Sequence, residues 1–70
     1  MFLYKIEIQM ESQHASLILL ADSDESAFGY VEGHLARHYV KAPKVLELAI
    51  VEKKRVEKGS GYVIETRGSL

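Results

Sequence analysis

The sequence predicts a two-layer α+β domain with the element order ββαββ, in which one helix packs on one face of a four-stranded antiparallel sheet. Apolar and polar side chains alternate with a period of two on both sides of a central segment, and that segment has the 3.6-residue period of an amphipathic helix. The 70 residues allow one small domain. A right-handed crossover places the third strand beside the first, which gives the sheet order 2-1-3-4. We expect residues 1–66 to form this domain and residues 67–70 to fray.

The first two strands are predicted to form a hairpin. Residues 2–10 alternate between apolar and polar side chains, and a short polar turn at residues 12–14 separates them from a second strand over residues 15–21. The second strand is apolar on both of its faces. On the first strand, one face carries the apolar side chains Phe2, Tyr4, Ile6, Ile8 and Met10.

The helix is predicted to begin after Asp22, which we expect to be the N-cap, with Glu25 at the third helical position. It should run to about Tyr39, and Pro43 prevents any continuation. Because 3.6 residues make one turn, five apolar side chains form a stripe that faces the sheet. These are Ala27, Phe28, Val31, Leu35 and Tyr39.

A third strand is predicted from Lys44 to Val56. Its apolar face is interrupted at Glu52, and a bulge near Val51 and Glu52 would absorb the change of phase. Residues 59–61, Gly-Ser-Gly, are typical of a hairpin turn. Residues 62–66 then complete the predicted sheet as a short fourth strand.

Composition excludes several classes of function. The chain has no cysteine, so disulfides, thiolate metal sites and a cysteine nucleophile are excluded. No pair of carboxylates lies in an apolar segment. His34 and His38 have the spacing of an HExxH motif, but Leu35 occupies the position of its glutamate, so we assign no catalytic, cofactor-binding or metal-binding residue. The apolar runs are too short for a membrane helix, and charges interrupt the start of the chain. We therefore expect a non-enzymatic, cytoplasmic protein without a cofactor.

Two surfaces are candidate interfaces for a homodimer or a protein partner. The first is the sheet face opposite the helix, because monomers rarely expose a large apolar patch. The second is the outer helix face, where the spacing of Gly29 and Gly33 resembles that of closely packed helices. We favour the sheet face because it offers more apolar area. Its side chains are Leu3, Ile18, Leu20, Val45, Val51 and Val63.

An alternative function is weak binding to RNA or DNA. Residues 41–70 carry seven basic and four acidic side chains, a net charge of +3, although the whole chain has a net charge of −1. Clustered lysine and arginine side chains are the usual contacts to phosphate. The candidate contacts are Lys41, Lys53, Lys54, Arg55 and Lys58.

Nearly the whole chain resembles a family of uncharacterised proteins, of about this length, from Gram-positive spore-forming bacteria. The resemblance is carried by Met1–Lys5, by Val51–Val56 and by Lys58–Ile64. It implies a domain of unknown function and supplies no site residues. More distantly, the ββαβ order and the segment from Arg37 to Lys41 are similar to small ribosomal proteins of the L18a/LX kind, which implies contact with RNA. The residues themselves favour a small interaction or regulatory module that self-associates or binds a protein partner.

Overall fold

A computed structural model describes residues 1–41 and 43–65. One helix packs on one face of an antiparallel sheet, which confirms the predicted α+β class. Within the described residues the sheet has three strands in the order β2-β1-β3, so the prediction of four strands is wrong. The elements are β1 (Phe2–Met10), β2 (His14–Ala21), α1 (Asp24–His38) and β3 (Val45–Arg55).

The predicted hairpin is confirmed, and its register fixes which side chains enter the core. Leu3 lies opposite Leu20 and Ile6 lies opposite Leu17. The even-numbered residues of β1 share the face toward α1, because successive side chains of a strand point to opposite faces. These four side chains are almost completely buried: Tyr4, Ile6, Ile8 and Met10.

The helix begins one residue later than predicted. Ser23, not Asp22, is the N-cap, and its Oγ accepts a hydrogen bond of 3.1 Å from the amide of Ser26. The carboxylate of Asp22 instead lies 3.6 Å from the terminal amino group of Met1. At the other end, the Tyr39 amide donates to the carbonyl of Leu35 at 3.0 Å, close to the predicted boundary.

The helix lies nearest to β2 and leaves part of β3 uncovered. Ala27, Val31 and Leu35 are buried against the sheet, as the apolar stripe predicts. Phe28 belongs to the same predicted stripe but is 38% exposed. The Phe28 ring projects toward β3, which α1 covers only in part, and the ring is therefore partly exposed.

Two bulges interrupt the pairing of β3 with β1. Lys5 pairs with Glu52 and Ile6 pairs with Ile50, so Val51 is the extra residue of a bulge, which confirms the predicted irregularity. A second register shift lies at the start of β3, where Leu46 is the extra residue. This second bulge was not predicted from the sequence.

The segment after β3 does not add a fourth strand. A turn follows Glu57, where the Ser60 amide donates to the Glu57 carbonyl at 3.0 Å and Gly59 has a positive φ of 88°. The Tyr62 hydroxyl then donates to the Leu3 carbonyl at 2.6 Å, and residues 63–65 line a depression on the outer face of the sheet. These contacts direct residues 62–65 across the outer face instead of along β3. Thr66 and the predicted frayed tail, 67–70, lie outside the described residues.

Candidate interaction surface

An open apolar groove of about 810 Å³ lies between α1 and β3. It exists because the helix packs nearer to β2 than to β3, so the side chains of β3 that face the helix are only partly covered. The helix contributes small residues as well as apolar ones, which widens the groove. Its lining consists of Phe28, Val31, Glu32, Gly33, Leu35, Ala36, Pro43, Val45 and Leu48.

The outer edge of β3 borders this groove. Within the part of the chain that the structure describes, β3 pairs only with β1, so one row of its backbone groups has no strand beside it. Residues 45–51 contain a single charged side chain, Glu47, whereas Lys53, Lys54 and Arg55 follow at the other end. Proteins commonly protect exposed edges with lysine and other charges. Basic side chains protect the last three residues of β3, whereas the first seven carry one charge, Glu47, and the bulges at Leu46 and Val51.

The opposite edge of the sheet, formed by β2, is flanked by the helix. Tyr30, His34 and Arg37 of α1 line a shallow depression together with Ile18 and Leu20 of β2. An incoming strand at this edge would therefore meet bulky helix side chains. The edge of β3 is the more accessible of the two.

The structure divides the predicted outer-face patch. Leu3, Ile18 and Leu20 lie together on the outer face, because Leu3 pairs with Leu20 and Ile18 pairs with Lys5. Val63 lines the outer-face depression described above, together with polar side chains of β1 and β2. The predicted position of Val45 is wrong: the bulge at Leu46 places it opposite buried Met10, and it lines the groove on the helix side. Val51 is the extra residue of the other bulge.

The two glycines of the predicted helix interface have free space where a side chain would be. A Cβ atom built on Gly29 would meet nothing within 4 Å, and one on Gly33 would lie 3.8 Å from the Arg37 guanidinium, an ordinary contact. No close approach within the described chain therefore requires glycine at either position. Gly33 contributes to the wall of the α1–β3 groove.

The predicted basic patch is partly engaged within the molecule. The Lys53 ammonium donates to Asp24 at 2.8 Å, and the Lys54 ammonium donates to the Gly61 carbonyl at 2.7 Å. Lys54 also lies 4.5 Å from the centre of the Tyr62 ring. Arg55 and Lys58 line the turn that follows β3. Lys41 lies near the opposite end of the sheet, because it follows the carboxyl end of the helix and precedes β3.

A polar cluster of Tyr4, Asp24 and Lys53 links the first turn of the helix to β1 and β3. The Tyr4 hydroxyl and the Lys53 ammonium both donate to Oδ1 of Asp24 at 2.8 Å. The hydrogen bond from Lys53, and then that from Tyr4, lowers the pKa of Asp24. Burial, reinforced by the Asp24 carboxylate, raises the pKa of Tyr4, and the bond to Asp24 raises the pKa of Lys53. The cluster is not evident from the sequence because its members are 20 and 29 residues apart in the chain.

The shifted pKa of Asp24 predicts a loss of stability in acid. A lowered folded-state pKa contributes stability that is present above the unfolded value, about 3.9, and is lost as the pH falls through the folded value. Asp24→Asn should therefore unfold more easily than the wild type at pH 7 and show a shallower decline below about pH 4. Urea unfolding between about pH 3 and pH 7 measures both effects. Asp22→Asn is the control, and an unchanged acid slope in Asp24→Asn would contradict this role.

The histidines do not assemble a metal site in the described residues. Nδ1 of His34 lies 3.4 Å from an Arg37 nitrogen, and the His38 ring meets the Tyr39 ring edge to face. No group of three metal-ligating side chains occurs among residues 1–41 and 43–65. Over the same residues, no helix has the length and apolar character needed to cross a bilayer.

The described residues define a small two-layer α+β domain, with one helix on a three-stranded antiparallel sheet and an accessible edge at β3. The chain belongs to the DUF3906 family, whose description is "Protein of unknown function" and whose model matches residues 1–64. This match confirms the expected domain of unknown function. No curated protein and no solved structure matches the chain. The bacterial source and the likeness to ribosomal proteins stay predictions.

Proposed function

We propose that this protein is a non-enzymatic, cytoplasmic interaction module that binds an extended polypeptide strand along the edge of β3. The observation that carries the proposal is the juxtaposition of the accessible β3 edge with the apolar α1–β3 groove. Neither feature alone defines a binding surface, but together they offer backbone hydrogen bonds and side-chain pockets to the same ligand.

Strand addition uses both features at once. A strand that pairs with β3 lies about 4.8 Å from it, and every second side chain of that strand points to the helix side of the sheet. Those side chains would enter the groove between Phe28, Leu35 and Leu48. The backbone of the added strand supplies affinity with little dependence on sequence, and the groove selects apolar side chains.

Nucleic-acid binding is the less favoured alternative. Lys53 and Lys54 already bind groups of this chain, and Lys41 lies at the opposite end of the sheet from the other candidate contacts. The remaining cations, Arg55 and Lys58, form a small patch in a chain whose net charge is −1. The apolar groove has no role in that alternative.

Peptide titration tests strand binding. We expect peptides of about ten residues with alternating valine and threonine to shift the NMR signals of β3 amides and of the Val31, Leu35 and Leu48 methyl groups. Leu46→Lys should weaken binding, because Leu46 is on β3 and 56% exposed. Leu20→Lys is the matched control, since Leu20 is 52% exposed but lies on β2. Shifts confined to the outer face or to the basic turn, or no binding of any peptide by the monomeric chain, would contradict the proposal.

A further inference from the structure

We infer that the strand bound at β3 is β3 of a second copy of this chain, paired antiparallel about a two-fold axis beside Leu48. This inference rests on the proposed function, because it names the occupant of the same edge and groove. The two copies would form a continuous six-stranded sheet in the order β2-β1-β3-β3-β1-β2. A two-fold axis perpendicular to the sheet places both helices on the same face, so that the two grooves meet.

The side-chain pattern of β3 is self-complementary in this register. With Leu48 opposite its own copy, the flanking side chains of residues 45–51 pair without any contact between like charges. Apolar residues meet apolar residues, and Glu47 meets a small neutral side chain. The pairs are Leu46 with Ile50 and Glu47 with Ala49, and the apolar side chain of Val45 lies next to the bulged residue Val51.

Charge also favours this register over its neighbours. Lys44 lies opposite the partner's Glu52, and the two-fold axis repeats this pair of opposite charges. Like charges directly opposite each other destabilise a sheet, whereas opposite charges contribute favourably. Moving the axis to Glu47 would place two carboxylates opposite each other. Moving it to Ala49 would place Lys44 opposite the partner's Lys54.

Registers in which the two-fold axis passes between two residues are excluded, because side chains alternate between the two faces of β3. Leu48 and Ile50 lie opposite Ile8 and Ile6 and therefore share the helix side, whereas Ala49 lies opposite Glu7 on the outer side. An axis that passes between two residues would put an outer side chain opposite an inner one. With the axis at Leu48, the two Leu48 side chains meet on the helix side, where both grooves open. A second copy thus supplies apolar side chains to the groove.

Self-association predicts a mass that depends on concentration. The mass of the intact chain, measured by light scattering, should rise from the monomer value of 7.9 kDa toward twice that value as the concentration increases. Leu46→Lys should raise the dimer dissociation constant by about tenfold or more, because it places a charge in an apolar strand pair. Leu20→Lys should leave the dissociation constant unchanged. A wild-type monomer mass up to millimolar concentration would overturn the dimer, while the peptide titration would still test strand binding by itself.

Cysteine pairing tests the register, because the chain contains no cysteine of its own. Glu47→Cys and Ala49→Cys are both at exposed positions on the outer side of β3. When the two variants are mixed under mild oxidation, with one carrying a mass label, we expect disulfide-linked dimers that contain one chain of each. Dimers of Ala49→Cys with itself would place the axis at residue 49, and dimers of Glu47→Cys with itself would place it at residue 47. Either result would overturn the inferred register.

Discussion

Val31→Asp is expected to unfold the protein. Val31 is at the middle of the buried helix stripe, and only 2% of its surface is exposed. The described core around it is apolar, without a buried polar or charged residue to pair with a carboxylate. An unpaired buried charge costs about 3–5 kcal/mol, which is comparable to the whole stability of a small domain. Circular dichroism should show loss of the cooperative thermal transition.

Tyr30→Asp is the control for this substitution, because it introduces the same side chain at the neighbouring, exposed position of α1. It should change the free energy of unfolding by less than about 1 kcal/mol, since surface substitutions away from special contacts have small effects. If Val31→Asp melted like the wild type, the assignment of the helix face that packs on the sheet would be wrong.

Ile6→Ala is expected to have the second-largest effect, a loss of about 2–5 kcal/mol in the free energy of unfolding. Ile6 has no exposed surface, and it lies on the central strand between Leu17 of β2 and Ile50 of β3. Truncation would leave a cavity that strands on both sides keep from closing. Urea unfolding measures the loss, and Ile18→Ala provides a matched comparison.

Ile18 has the same side chain but is 36% exposed on the outer face of the sheet. Its truncation should cost less than about 1.5 kcal/mol, because less apolar area leaves the interior. Equal losses for the two substitutions would mean that the core is not confined to the helix side of the sheet.

The sequence was sufficient to predict elements whose side chains repeat regularly. Alternation along β1 identified the face with Tyr4 and Ile8, and the 3.6-residue period identified Ala27, Val31 and Leu35. The bulge at Val51 was predictable because Glu52 breaks the alternation. The N-cap was missed by one residue, since Asp22, Ser23 and Asp24 are all good capping residues. The choice among them depends on long-range contacts, because Asp24 binds Tyr4 and Lys53.

The prediction of a fourth strand was wrong because the sequence signal for a strand is local, whereas the position of the segment depends on distant partners. Tyr62 and Val63 have the composition of a strand, but a short segment is held wherever its strongest contacts lie. Here the Tyr62 hydroxyl bonds to the Leu3 carbonyl, and Lys54 lies over the Tyr62 ring. The α1–β3 groove was missed for a related reason. A helical period shows which side of α1 is apolar, but not whether the helix packs over β2 or over β3.

The central position of β1 has a consequence for how the chain folds during its synthesis. β1 is made first, yet one of its two neighbours, β3, is made last among the strands, and Phe2 is paired with Arg55. The hairpin and helix precede β3, but without it one edge of β1 stays open. Contacts between residues so far apart in sequence close slowly, because the intervening chain loses entropy. We therefore expect the nascent chain to reach its native packing only after Arg55 has been added.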